Sequence, residues 1–237
     1  MRSIKRIVCV AGTGEPFLAQ EAQTWGSWWD AEVKFLESLD EGRDPNPDLI
    51  VLRGFRAGSG IQPALTFDLT SSVECRYNVL LAQPGPASGP VLVATTLSDS
   101  ESPVVAAGAE IARRFQTALT VIHVLEPTST PVEGPSAGAS LTTGSFTADA
   151  IRLRTDGHDR VSAAMAQAGA AGLAVVEEGT PASTILRESR RLGARLLVMG
   201  TDASTPARLP RTVERAAREA SGSLLVVAAA KIGSTTT

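Results

Sequence analysis

A chain of 237 residues has room for one large domain or two small ones, and its 43% hydrophobic content suffices to bury a core. With only 4% aromatic residues that core must be mostly Val, Leu, Ile and Ala, which suits parallel strands covered by helices. The net charge of −3, with eight basic and eleven acidic side chains in residues 1–87 and fourteen of each in the remainder, leaves neither part the basic excess that phosphate neutralisation needs, so nucleic-acid binding is excluded.

The N-terminus, MRSIKRIVCVAG, places an apolar run at Lys5–Val10 that reads as a strand and is too short for a signal h-region. No segment approaches the roughly 20 apolar residues that span a bilayer, so the expectation is a cytoplasmic protein that is not membrane-embedded. Cys9 and Cys75 are the only cysteines and make no secreted disulfide framework; two reduced thiols are expected. Pro16–Trp25 is read as a helix, and Trp25, Trp28 and Trp29, at spacings of three and four, share one helical face suited to core or lobe–lobe packing or to a partner surface. Strands are expected at Glu32–Leu36, Asp48–Leu52 and Val79–Ala82.

Gln83-Pro-Gly-Pro-Ala-Ser-Gly-Pro90 has no apolar period and reads as a semi-rigid linker. Beyond it strands and helices alternate: Val91–Ala94 a strand, a helix from Pro103 to about Ala118 burying Val104, Ala107, Ile111 and Phe115, and Leu119–Leu125 a strand. Residues 127–149, rich in Pro, Gly, Ser and Thr, read as a long mobile surface loop. A helix is expected from about Ala150 to Gly169, a strand at Leu173–Glu177 and a helix at Pro181–Leu192. A strand at Arg195–Gly200, a helix at Arg211–Ala220 and a strand at Ser223–Ala230 follow, with a disordered tail at 231–237. Such alternation implies βαβ crossovers and a doubly wound parallel sheet. The segment Pro47–Gly54 parallels Ala194–Gly200, at a similar interval from the last strand of each part, which suggests an internal repeat whose first copy lacks at least one strand–helix unit.

Four fragments in order, VLVATTLSDSES, LTVIHVLEP, EEGTPASTILRESRRLGARLLVMGT and RTVERAAREASGSLLVV, resemble the universal stress protein family. The resemblance implies a universal stress protein domain over residues 89–230, preceded at 1–86 by a truncated, divergent copy. The implied fold of the larger lobe is that of the adenine nucleotide alpha hydrolase-like α/β proteins, a five-stranded parallel sheet of order 3-2-1-4-5. In many relatives the fifth strands of two domains pair across a dyad; here Tyr77–Ala82 and Ser223–Ala230 are candidates to pair within one chain, and a homodimer is a further option.

Nucleotide-binding members of that family use an aspartate after strand one, a valine after the histidine of strand two, and a Gly-x2-Gly-x9-Gly-Ser/Thr loop after strand four. The aspartate position here is Thr96; Val124 follows His123; Gly200 is the first loop glycine and Ala203 replaces the second. The closing pair falls at Arg211 and Thr212 behind Pro210, in a shortened loop. Proline offers no N–H to a phosphate oxygen and alanine hinders close backbone approach, so the ATP motif is read as degenerate, while Arg208, Arg211 and Thr212 keep ATP or AMP open as ligands. Gly12-Thr-Gly14 and the glycines of residues 54–60 offer weaker phosphate turns in the first lobe.

His123 and His158 have no ligand-spaced neighbours, so no metal site is expected, and His123 reads as a strand residue with a satisfied hydrogen bond. The serines at 98–102 read as a helix cap, and Glu177 and Glu178 as a solvated strand exit with the two side chains on opposite faces. With no catalytic residue identified, the expected role is a non-catalytic stress-response or regulatory protein that binds a small ligand or a protein partner. Two alternatives stand: an adenine-nucleotide-binding or ATP-hydrolysing enzyme of the same superfamily, and a cytoplasmic accessory of a transporter.

Overall fold

The computed structural model describes residues 4–10, 16–37, 47–54, 77–86, 88–97, 102–126, 143–201 and 210–228. Among them four strands come before the linker: β1 (Arg6–Val10), β2 (Glu32–Leu36), β3 (Leu49–Arg53) and β4 (Asn78–Ala82). Five follow it: β5 (Val91–Thr95), β6 (Leu119–Leu125), β7 (Leu173–Glu178), β8 (Leu196–Gly200) and β9 (Ser223–Val227). All belong to one sheet of order β2-β1-β3-β4-β9-β8-β5-β6-β7. Every pairing is parallel except β4 with β9. Numbered within the second part, β7-β6-β5-β8-β9 is the expected order 3-2-1-4-5.

The antiparallel seam joins the two parts into a continuous sheet, with Val79 opposite Val226, Leu80 opposite Leu225 and Leu81 opposite Leu224. Both strands are apolar on both faces because helices cover the sheet on each side, and pairing removes two aggregation-prone edges. Polar side chains clip the register at either end. Asn78 Oδ1 accepts from the Ala228 amide at 3.2 Å while its Nδ2 donates to the Asp48 carbonyl at 3.1 Å, and Ser223 Oγ accepts from the Gln83 amide at 3.1 Å. The expected within-chain pairing is therefore present, over shorter strands; Tyr77 and Ala228 flank it, and 229–230 lie outside the described residues.

Helices α1 (Pro16–Trp29), α2 (Ser102–Phe115) and α3 (Thr143–Gln167) pack on one face, and α4 (Pro181–Leu192) and α5 (Arg211–Glu219) on the other. Three helix ends differ from expectation by three residues or more. The first helix runs past Trp25 to Trp29 and stops where Asp30 turns to φ 50°; α2 ends at Phe115, short of Ala118, because Gln116 takes φ 52°. Left-handed residues release the backbone from helical hydrogen bonding. Residues 143–149, read from composition as loop, are helical: poor helix formers propagate a helix already anchored by the buried Gly157, Val161 and Met165, since extension costs far less than nucleation. Residues 127–142, 98–101, the tail 231–237 and Cys75 lie outside the described residues. At α4 the expected and observed bounds coincide: Pro181 opens it, and Gly193 at φ 59° closes it with its N–H donating to Arg190.

The tryptophans are packing residues that tie the two parts together. Trp25 is fully buried, stacks on Trp29 at 5.2 Å and meets the edge of Phe115 of α2 at 6.4 Å; Trp28 lies 4.6 Å from Phe115. Arg114 stands over Trp29 at 4.5 Å and donates to the Trp28 carbonyl, and Arg195 stands over Phe115 at 3.8 Å, so two cations cap an aromatic cluster. Cys9 is a buried thiol.

The linker is pinned to the second part at Gly89, whose carbonyl accepts from Thr117 Oγ1 at 2.8 Å. A Cβ at Gly89 would run into the Gly193 carbonyl oxygen and crowd the Arg195 amide, both backbone atoms that cannot rotate away. Gly89→Ala should therefore destabilise by about 1–3 kcal/mol, as overpacking does. Chemical denaturation would show this as a lower midpoint at unchanged slope, and an unchanged midpoint would remove the close approach.

Candidate functional site

In doubly wound sheets a crevice opens at the carboxyl ends of the strands where the order reverses, because the crossovers on either side depart to opposite faces. Here the reversal lies between β5 and β8: β6 and β7 continue one way, β8 and β9 the other. Ala94 is opposite Met199, so the chain leaves the two strands side by side at Thr95–Thr96 and Gly200–Thr201. On the other flank Thr95 is opposite His123, which puts Val124 one step further along β6. Thr96, Val124 and Gly200 thus meet on three adjacent strand ends. Val124 packs on the α4–α5 side and Thr96 is exposed.

Arg211 and Thr212 open α5, the helix that carries the chain from the carboxyl end of β8 back to the start of β9. Its N-terminus therefore lies along the same edge, with Arg211 exposed and Thr212 half-buried. Pro210 precedes it at φ −54° and supplies no N–H, and among the described residues no side chain caps the helix. Ala203 and Arg208 lie outside the described residues, as do Gly12, Gly14 and residues 55–60 of the first part.

The turn after β5 is held from three directions. The Leu97 amide donates to Thr95 Oγ1 at 3.0 Å, His123 Nδ1 lies 2.9 Å from the Thr95 carbonyl, and Arg160 Nη2 of α3 donates to the Leu97 carbonyl at 2.8 Å. Leu97 itself sits at φ 63°, a left-handed conformation that branched side chains rarely adopt. Such strain persists only where the surroundings over-determine it, and here three bonds from β5, β6 and α3 do so. Their effect is to fix the Thr96 backbone at the crevice lip.

Sequence reasoning found the strand ends and the His123 bond but missed Arg160. The signal it could have used is Gly157, one turn earlier: a glycine inside a helix marks close approach, and a Cβ there would sit 3.3 Å from Val176 and 3.7 Å from the His123 ring. That approach brings α3 near enough for Arg160 to reach Leu97.

Glu177 receives Arg154 at 3.8 Å and Arg187 at 3.4 Å, while Glu178 on the other face is exposed, so the two carboxylates do not converge. Among the described residues no group of three His, Cys, Asp or Glu side chains lies close enough to hold a metal ion, and no helix is long and apolar enough to cross a membrane. What the arrangement offers a ligand is hydroxyls at Thr96 and Thr212, a glycine at the β8 end and a guanidinium at Arg211.

A sequence model of the universal stress protein family matches residues 88–228. Among solved structures, a functionally unknown protein from Pseudomonas aeruginosa PAO1 superposes with a TM-score of 0.68 at 16% identity, covering 96% of this chain and 93% of its own. A universal stress protein from Archaeoglobus fulgidus DSM 4304 gives a TM-score of 0.56 at 14% identity, covering 95% of this chain and 88% of its own. At such identities the likeness is one of fold. No curated protein sequence matches the chain.

Proposed function

This chain belongs to the universal stress protein family, and on that premise we propose that it is a non-catalytic stress-response or regulatory protein whose crevice between β5 and β8 takes a small ligand. The observation that carries the proposal is the lip at Thr96, held by bonds from β6 and α3 beside Gly200. A rigid, solvent-facing turn at a switch point suits a binding site, because ordering it costs nothing at the moment of binding. Its chemistry departs from that of the family's usual nucleotide site. A hydroxyl stands where nucleotide-binding members carry a carboxylate, and a hydroxyl both donates and accepts.

The helix entrance at Arg211 and Thr212 supports an anionic group on that ligand. Adenine nucleotides, ATP or AMP among them, are the class to test first, with affinity lowered by the degenerate motif. The first part serves in this reading as a truncated, divergent copy of the second. Its order β2-β1-β3-β4 supports that, being the second part's order with the third strand absent.

Thermal-shift and calorimetric titration with ATP, ADP, AMP and cyclic AMP tests the reading. A ligand present at a hundred times its Kd adds about 2.7 kcal/mol of stability. Gly200→Val should cancel the shift while leaving the unliganded melting temperature near that of the parent. No shift with any of the four retires the nucleotide and leaves partner binding. ATP turnover that disappears in Gly200→Val would overturn the non-catalytic assignment.

A further inference from the structure

With β4 and β9 consumed by the internal seam, the outer edge of β2 is the one free strand edge of the first part among the described residues. Its side chains are poorly covered: Phe35 is 46% exposed, and Glu32 and Lys34 are exposed without an ion-pair partner among the described residues. We propose that this edge is the contact through which two copies of the chain associate, antiparallel, about a two-fold axis at Val33.

Hydrogen-bond phase and charge select that axis. The Glu32 amide donates to the Lys5 carbonyl, so in a parallel ladder Glu32 and Lys34 turn their backbone groups toward β1, and Val33 and Phe35 turn theirs outward. An antiparallel partner can bond only in registers that set outward groups opposite outward groups. With the axis on Lys34 two ammonium groups would face each other. With it on Phe35, Lys34 would face Leu36. With it on Val33, Glu32 lies opposite Lys34 of the second copy, twice over, in the non-hydrogen-bonded positions where side chains come closest.

In that same register Ala31 lies opposite Phe35 of the second copy, on the face of the sheet that carries α1, so the exposed ring gains cover. The other outer strand, β7, offers no such match: its charged residues, Glu177 and Glu178, are both acidic. Five residues span only about 17 Å of edge, so the dimer is weak, concentration-dependent and loosened by salt.

Sedimentation velocity of the full chain from about 10 µM to about 1 mM reads this directly, as the range of a weak self-association. The expected result is a rising weight-average sedimentation coefficient at low salt that falls back when salt is added. Glu32→Lys and Lys34→Glu should each weaken association by about tenfold or more, since two attractions become two repulsions. The double variant Glu32→Lys/Lys34→Glu should restore it, as should mixing the two single variants. Both positions are exposed, and far-UV circular dichroism with tryptophan fluorescence checks that the fold is retained. A chain that stays monomeric throughout overturns the proposal. So does a dimer indifferent to either reversal, which would associate elsewhere, or one that the double variant fails to restore.

Discussion

Leu80→Asp is expected to abolish the cooperative thermal transition of this protein. Leu80 is fully buried in the middle of β4, directly opposite Leu225 across the one antiparallel junction of the sheet. Removing a buried leucine side chain alone costs about 2–5 kcal/mol. A carboxyl group in its place adds the cost of a charge, or of a neutral acid, with no partner among apolar neighbours. The total reaches or exceeds about 5 kcal/mol, comparable with the whole stability of an ordinary protein, about 5–15 kcal/mol. Leu80→Ile, which keeps volume and suits a strand, should stay within about 1.5 kcal/mol of the parent. Circular dichroism melts of the two variants decide the matter: if the aspartate variant melts within a few degrees of the isoleucine one, the seam is not the buried junction described.

Trp25→Ala should produce the next largest loss, about 3–5 kcal/mol, because a fully enclosed indole leaves a cavity that neighbouring elements cannot close. For a chain of this length that corresponds to a fall of about 6–20 °C in melting temperature. The loss should be shared between the two parts of the sheet, since Trp25 contacts both Trp29 on its own helix and Phe115 across the boundary. A double-mutant cycle with Phe115→Ala measures that link, and a coupling of about 0.5–1.5 kcal/mol is expected for such an aromatic pair. Strict additivity would mean that the aromatic cluster packs the two parts side by side without joining them energetically.

Much of the fold is legible in local pattern. Leu119–Leu125 and Pro181–Leu192 have the bounds their residues announce: a continuous apolar run for a strand buried on both faces, and a proline start with a glycine stop for a helix. Composition misled at 143–149, where glycine, serine and threonine speak for loop but the helix is set by anchor points two turns further on, at Gly157 and beyond. The candidate site divides the same way. Thr96, Val124 and Gly200 follow from strand ends plus sheet order; the bond from Arg160 to Leu97 spans 63 positions, and its local trace is the helical glycine at 157, which lets α3 approach the sheet.

Chain chemistry by itself determined the alternation of elements, the parallel character of the sheet and the positions of the strand ends. Each of these is decided by residues within a turn or a strand of one another. Only the folded molecule decided that β4 and β9 close into one sheet with Ser223 meeting Gln83 across 140 positions, that the tryptophans seat on Phe115, and that Leu97 is held left-handed. Those outcomes depend on how covered faces and paired edges come together, and burial rewards such meetings wherever in the chain their partners lie.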